Sequence, residues 1–254
     1  PDGSAGECDG LGRLEGAGMT QFQELLILGS GRSGSNLLCS MLGTLQGNAS
    51  FYEILIDDRI PVPKSYGTII RSLLEGYGVG GDDLDAPEML QARDADQVAF
   101  YEALARATQA AGYASMSCKI FSHQISLDNL EVLLRRPNLA VIFLTRRRID
   151  RHISGMKGQI TNLYARKDTT DLRPDLNLRQ FLRFSFKLDR ELDAMHDRVV
   201  ASGVPYGHLV YEEDLDIAPD LRWGRLSTVL HGLRRTSTLL GGPDGEIYVK
   251  QDSN

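Results

Sequence analysis

Two apolar runs interrupt an otherwise amphipathic chain. Residues 25–28 (Leu-Leu-Ile-Leu) and 139–144 (Leu-Ala-Val-Ile-Phe-Leu) show no polar alternation, the pattern of strands covered on both faces. Residues 115–121 alternate weakly, residues 50–55 read as a short extended segment, and residues 208–215 read as a strand leading into an acidic turn. Helical spacing fills the intervals: Leu37, Leu38, Met41, Leu42 and Leu45 follow the first run, and Val98, Tyr101, Leu104, Ala105 and Thr108 mark one face over 94–111, ended by Gly112. A further helix is capped near Ser126 and runs through Leu133. A long one over 176–201 buries Phe181, Phe184, Leu188, Leu192 and Met195, and 221–233 is helical again. Strands alternating with helices predict an α/β fold, a parallel sheet with helices on both faces. Residues 61–85, rich in Pro, Gly and Asp, read as a surface excursion with one short helix over 68–74, either a substrate lid or a solvated loop. Residues 159–175 read as a polar connection.

Length and charge narrow the class. At 254 residues the chain suffices for one well-buried α/β domain, placed at 22–254 behind a flexible Gly- and acid-rich tail at 1–21. Met19 is a candidate native start, with a tag remnant before it. A net charge of -6 argues against general nucleic-acid binding, which needs a basic face. Cys8, Cys39 and Cys118 are too scattered for a disulfide framework or a zinc site, and a reducing cytoplasm fits them. No apolar run approaches the ~20 residues of a membrane span. No metal site is expected.

The chemistry concentrates where the first apolar run ends. Gly29-Ser30-Gly31-Arg32-Ser33-Gly34 supplies a glycine turn, and Ser35 and Asn36 suit the start of a helix. A helix N-terminus after such a turn is an anion site, because its first N–H groups lack acceptors and the macrodipole is positive there. As a Walker A loop the segment fails, since Ser35 stands where a lysine is required. As a dinucleotide fingerprint, G-x-G-x-x-G, it matches in full, and Glu53 lies at a suitable distance for a ribose contact. In a third reading Arg32 is a cation fixed in the turn, with Ser33, Ser35 and Asn36 as further donors. In this form it resembles the 5′-phosphosulfate loop, R-S-G-[ST]-x-L-L, of sulfotransferases that use 3′-phosphoadenosine 5′-phosphosulfate (PAPS).

The second apolar run ends in four arginines, Arg146, Arg147, Arg148 and Arg151, at the strand edge where open α/β sheets bind ligands. A solvated charge run is the ordinary explanation. Ser154, however, follows Arg146 by eight residues, about two helical turns, so both side chains can reach one phosphate. Arg146 and Ser154 are similar to the second signature of PAPS-dependent sulfotransferases, whose Arg and Ser hold the 3′-phosphate. Tyr211-Glu212-Glu213-Asp214-Leu215 resembles the family's Y-E-D-L with one residue inserted, and its carboxylates are read as caps.

The resemblance, to the bacterial carbohydrate type, implies a P-loop-like fold and sulfuryl transfer from PAPS to a hydroxyl acceptor, a carbohydrate or small natural product. Adenosine 3′,5′-bisphosphate would be the product. It further implies nucleotide contacts from Gly31, Arg32, Ser33, Gly34, Ser35, Asn36, Arg146 and Ser154. Relatives usually continue further, so part of the adenine or substrate wall is expected beyond residue 254. Arg32 and Lys119 are the candidate cations for the leaving phosphate. Two residues compete as base: Glu53, placed like the glutamate that follows the first helix in the bacterial enzymes, and His123, which follows Lys119 with three residues between instead of the one in cytosolic aryl enzymes. Glu53 is preferred. A dinucleotide oxidoreductase and a non-catalytic PAPS-binding protein are the alternatives.

Overall fold

The computed structural model describes residues 22–161 and 171–233. The N-terminal tail with Cys8 and Met19, most of the 159–175 connection and the chain end lie outside the described residues. Five parallel strands form one sheet: β1 (Gln23–Gly29), β2 (Asn48–Glu53), β3 (Ser115–Phe121), β4 (Leu139–Thr145) and β5 (Tyr206–Val210), in the order β2-β3-β1-β4-β5. The eight helices described are α1 (Ser35–Leu42), α2 (Gly67–Gly76), α3 (Pro87–Ala95), α4 (Gln97–Ala110), α5 (Leu127–Leu134), α6 (Arg148–Thr161), α7 (Leu178–Ser202) and α8 (Pro219–Gly232). β3 lies between β1 and β2, so the order departs from the dinucleotide-binding order, in which the first two strands are neighbours.

Side-chain alternation on the central strands divides the core in two. Leu26 and Leu28 of β1, with Leu139, Val141 and Phe143 of β4, join α2, α4, α5 and the later part of α7 on one face. Leu25 and Ile27, with Ala140, Ile142 and Leu144, join α1 and α8 on the other. Right-handed connections require this arrangement: β1 to β2 runs one way across the sheet and every later connection runs the opposite way, so their helices fall on opposite faces. Each of the buried Leu, Ile, Val and Phe side chains among these contributes roughly 1.5–3 kcal/mol of transfer free energy.

β3 alternates weakly because its α1-facing side is polar. Ser117 is buried and accepts from Asn48 Nδ2 at 3.0 Å, and Lys119 is buried two residues further towards the strand's C-terminal end. The excursion after β2 is neither a lid nor a solvated loop. Ile60, Ile69, Leu73, Leu74 and Leu84 are all core, and a short 3₁₀ turn (Lys64–Tyr66) leads into α2. The helix expected over 94–111 is α4, capped by Asp96, which accepts from Ala99 N–H at 2.9 Å, and the unexpected α3 precedes it. β5 stops at Val210, and Tyr211–Leu215 coil into one wide π turn whose Asp214 accepts from Val210 N–H at 2.7 Å.

α3 carries a fully buried arginine. Arg93 donates from Nη1 to the carbonyls of Ile56 (2.6 Å) and Arg59 (2.8 Å) and from Nη2 to that of Asp57 (3.3 Å), and it pairs with Asp94 at 2.7 Å. It thereby fastens the segment that leaves β2. Arg93→Met would strand three carbonyls and is expected to lower the unfolding free energy by about 2–4 kcal/mol in urea titrations, whereas an exposed-site control such as Arg106→Met stays within about 0.5 kcal/mol.

Candidate active site

The C-terminal ends of β1, β2, β3 and β4 open into a cleft of about 910 Å³. Its floor is the glycine turn after β1. Gly29 allows β1 to run close to β4, because a Cβ there would stand 2.6 Å from the Leu144 carbonyl oxygen. Arg32 adopts a left-handed backbone, φ 66°, which a non-glycine residue holds only at a cost, and Gly34 follows at φ 85° as N-cap of α1. The N–H groups of Leu37 and Leu38 both donate to the Gly34 carbonyl, so those of Gly34, Ser35 and Asn36 have no helical acceptor and remain available to an anion.

The strained turn organises two arginines. Arg146 Nη1 donates to the Arg32 carbonyl at 3.0 Å, and Arg32 Nε donates to Ser154 Oγ at 2.9 Å. Arg32, Arg146 and Ser154 therefore meet, although they are 114 and 122 positions apart in pairs. The Arg146 guanidinium lies 4.5 Å above the Tyr211 ring and 3.6 Å from Glu212, and its buried Nε makes no hydrogen bond. Glu212 does cap, accepting from Arg147 N–H, but it also orients Arg146.

Of the other three arginines after β4, Arg151 also reaches the turn: its Nε donates to the Gly31 carbonyl at 2.8 Å while the guanidinium stacks 4.6 Å from the Phe184 ring, a role the arginine run alone does not assign. Burial pushes its pKa down to about 10, with Glu191 opposing, so it stays charged at neutral pH. Next to it His152, packed against Phe181 and Phe184, is held below the usual imidazole range by burial and then by the Arg151 charge. It is neutral at pH 7. Arg147 and Arg148 are exposed, and Arg148 pairs with Asp189 at 2.7 Å.

A buried cation stands on the opposite side. Lys119, 2% exposed, pairs with Glu53 at 2.9 Å and donates to Ser35 Oγ at 3.3 Å and to Asn36 Oδ1. Gln124 Nε2 holds the second Glu53 oxygen at 3.2 Å. Glu53 is thus the last residue of β2, in the cleft and in contact with the lysine that faces the start of α1. His123 lines the rim, exposed, its ring 6.1 Å from that of Phe121. The Ser33 side chain does not line the cleft: it is fully buried and its Oγ has no hydrogen-bond partner. Gly31, Gly34, Ser35 and Asn36 are all in the wall. The described residues hold no group of His, Cys, Asp or Glu suited to a metal ion. None of their helices is long and apolar enough to cross a membrane.

Tyr211 links the turn to Arg146 because it packs on Gly34, where an added Cβ would fall 2.1 Å from the ring. Gly34→Ala is therefore expected to displace Tyr211 and Arg146 together and to lower the melting temperature by several degrees in thermal unfolding, whereas Gly155→Ala, where a Cβ meets open space, leaves the melting temperature unchanged.

No protein-family model matches the chain, and no curated protein matches it. Among solved structures, the crystal structure of sulfotransferase STF1 from Mycobacterium tuberculosis H37Rv (type 1 form) aligns with 86% of this chain and 69% of its own at 12% identity and a TM-score of 0.47. At that degree of likeness, the fold rests on the sheet order and the site on the cleft, not on the relative.

Proposed function

We propose that the protein is a sulfotransferase that moves a sulfuryl group from PAPS to a hydroxyl of a carbohydrate or small natural product. The observation that carries this reading is the meeting of Arg32, Arg146 and Ser154 beside a helix N-terminus, with Lys119 and Glu53 facing the same cleft. Two anion sites side by side suit a nucleotide phosphorylated at both 5′ and 3′ positions. The Gly34, Ser35 and Asn36 N–H groups with Lys119 form one, and Arg146 with Ser154 form the other. Arg32 joins them, its backbone in the first and its guanidinium in the second. Arg146 Nε, which stands 3.6 Å from Glu212 and makes no hydrogen bond, is a further charge-assisted donor on the same guanidinium.

The donor nucleotide supplies an activated sulfuryl group on a phosphate leaving group. The chain's part is positioning and charge. Lys119 and the first N–H groups of α1 stabilise negative charge at the phosphate side. Glu53, at the end of β2, takes the acceptor's proton while that oxygen bonds to sulfur. Its two oxygens are already held by Lys119 and Gln124, which fixes the carboxylate's direction. The oxidoreductase alternative fits less well: β3 separates β2 from β1, Glu53 is engaged by Lys119 rather than open to a ribose, and Arg146 has no task in it.

Thermal shift with adenosine 3′,5′-bisphosphate, NAD and ATP side by side tests the reading. Adenosine 3′,5′-bisphosphate at ~100 times its Kd should add ~2.7 kcal/mol of stability. Stabilisation by NAD alone overturns the proposal, and nucleotide binding with no sulfated product from any acceptor reduces it to a binding protein. Arg146→Ala is expected to weaken the 3′-phosphorylated nucleotide by about 2–3 kcal/mol and to leave its counterpart lacking the 3′-phosphate much less affected. Equal weakening of both would show that Arg146 reads another group.

Glu53→Gln preserves size and the Gln124 contact but takes no proton. Turnover should fall ~10²–10⁴-fold with nucleotide affinity nearly intact, and His123→Asn should be mild. The reverse order would make His123 the base.

A further inference from the structure

α7 has two unlike halves. From Leu188 onward it buries Leu188, Met195 and Val199 against the fold, but its first half presents Leu178 (67% exposed), Leu182 (43%) and Phe186 (69%) to solvent. These recur every four residues and so lie along one side of the helix. At 3.6 residues per turn they span an arc of about 80°, and Arg179, Arg183, Lys187 and Arg190 fill the next arc of about 80°. Phe181, Phe184 and Leu188 occupy the far side, towards α6 and the cleft. The outward face of this half-helix is therefore an apolar stripe flanked by a stripe of four cations. Among the described residues Arg179, Arg183 and Arg190 meet no carboxylate; Lys187 reaches Glu191 at 3.7 Å, and Asp189, the one acid between 178 and 190, is engaged by Arg148.

We infer that this face of α7 docks on an anionic lipid surface, with Phe186, Leu182 and Leu178 entering the interfacial layer and the arginines and lysine meeting the headgroups. The charge pattern selects this occupant. The chain as a whole carries -6, so an anionic surface repels most of it and attracts this face, which fixes the orientation of approach. A second copy is disfavoured, because a two-fold interface would bring the same cationic stripe against itself. The face is also convex, one helix with protruding side chains, which fits a plane better than a peptide. Ile160, near the end of α6, and Leu176, just before α7, are exposed apolar residues flanking the same connection. The inference does not depend on the proposed reaction, although the docking helix also lines the cleft through Phe184.

Co-sedimentation of the full chain with phosphatidylcholine vesicles containing about one third phosphatidylglycerol tests it. Binding is expected to these vesicles and not to pure phosphatidylcholine, and to be released by high salt. Phe186→Ser should weaken partitioning roughly tenfold and Arg179→Gln with Arg183→Gln roughly thirtyfold, with melting temperatures unchanged because all three side chains are exposed. Absence of wild-type binding, equal binding to neutral vesicles, or variants that sediment like wild type would each overturn the inference. So would a dimer by analytical ultracentrifugation that Phe186→Ser dissolves while vesicles are ignored, which would assign the face to a second copy.

Discussion

A buried ammonium decides how the upper end of the sheet is built. Lys119 is almost completely withdrawn from water, and an unpaired charge there would cost several kcal/mol, so its partners must be in place before the strand ends can close. Those partners come from two neighbouring elements, Glu53 from β2 and Ser35 and Asn36 from α1, with the Tyr52 and Phe121 rings 5.6 and 5.2 Å from the ammonium. The pair is thus a registration device as well as a chemical one. It brings the carboxylate from the edge strand to within reach of the helix N-terminus, across the intervening β3, where sheet order alone would leave it one strand further from β1. Gln124 completes the carboxylate's coordination and also accepts from Phe121 N–H at 2.8 Å, tying the end of β3 to the same point.

A second constraint governs the other wall. The left-handed residue in the glycine turn is an arginine, and the turn's carbonyls are used as well as its N–H groups: Gly31 accepts from Arg151 and Arg32 accepts from Arg146. Donors from beyond β4 grip the backbone of the loop after β1, so the strain at Arg32 is held by cations that the site needs in any case. The turn is therefore an anion receptor on its N–H side and a cation anchor on its C=O side.

How much of this could be read from the residues follows from which interactions are local. β1 and β4 were legible because both faces of each are buried, which forces continuous apolar runs; β3 was less so because the face towards α1 carries Ser117 and Lys119. α3 was not legible, since its buried contribution is Met89 and an arginine, and a core arginine defeats any search for apolar periodicity. The acidic turn after β5 was legible, although Tyr211 and Leu215 are buried like strand residues and a π turn brings them there. In the site, Arg32, Arg146 and Ser154 stood out by spacing within their own segments. Arg151 and Tyr211 were visible only as members of an arginine run and of an acidic-turn motif, and their roles were not: one is defined by a carbonyl in a distant turn, the other by a ring packed on a glycine lacking Cβ.

The distribution of charge follows from the same geometry. The described helices carry many acids, yet Arg32, Lys119, Arg146 and Arg151 converge on one cleft in a chain whose net charge is -6. Low-dielectric walls of Phe121, Phe184 and Tyr211 concentrate the field between these cations, so a negatively charged ligand is drawn to the cleft. Glu53 and Glu212 are each set against one of the cations, Lys119 and Arg146, and neutralise part of the field without filling it. An anion entering the cleft meets these two carboxylates already seated on their cations, and the unpaired N–H groups at the start of α1 are the donors they leave open to it.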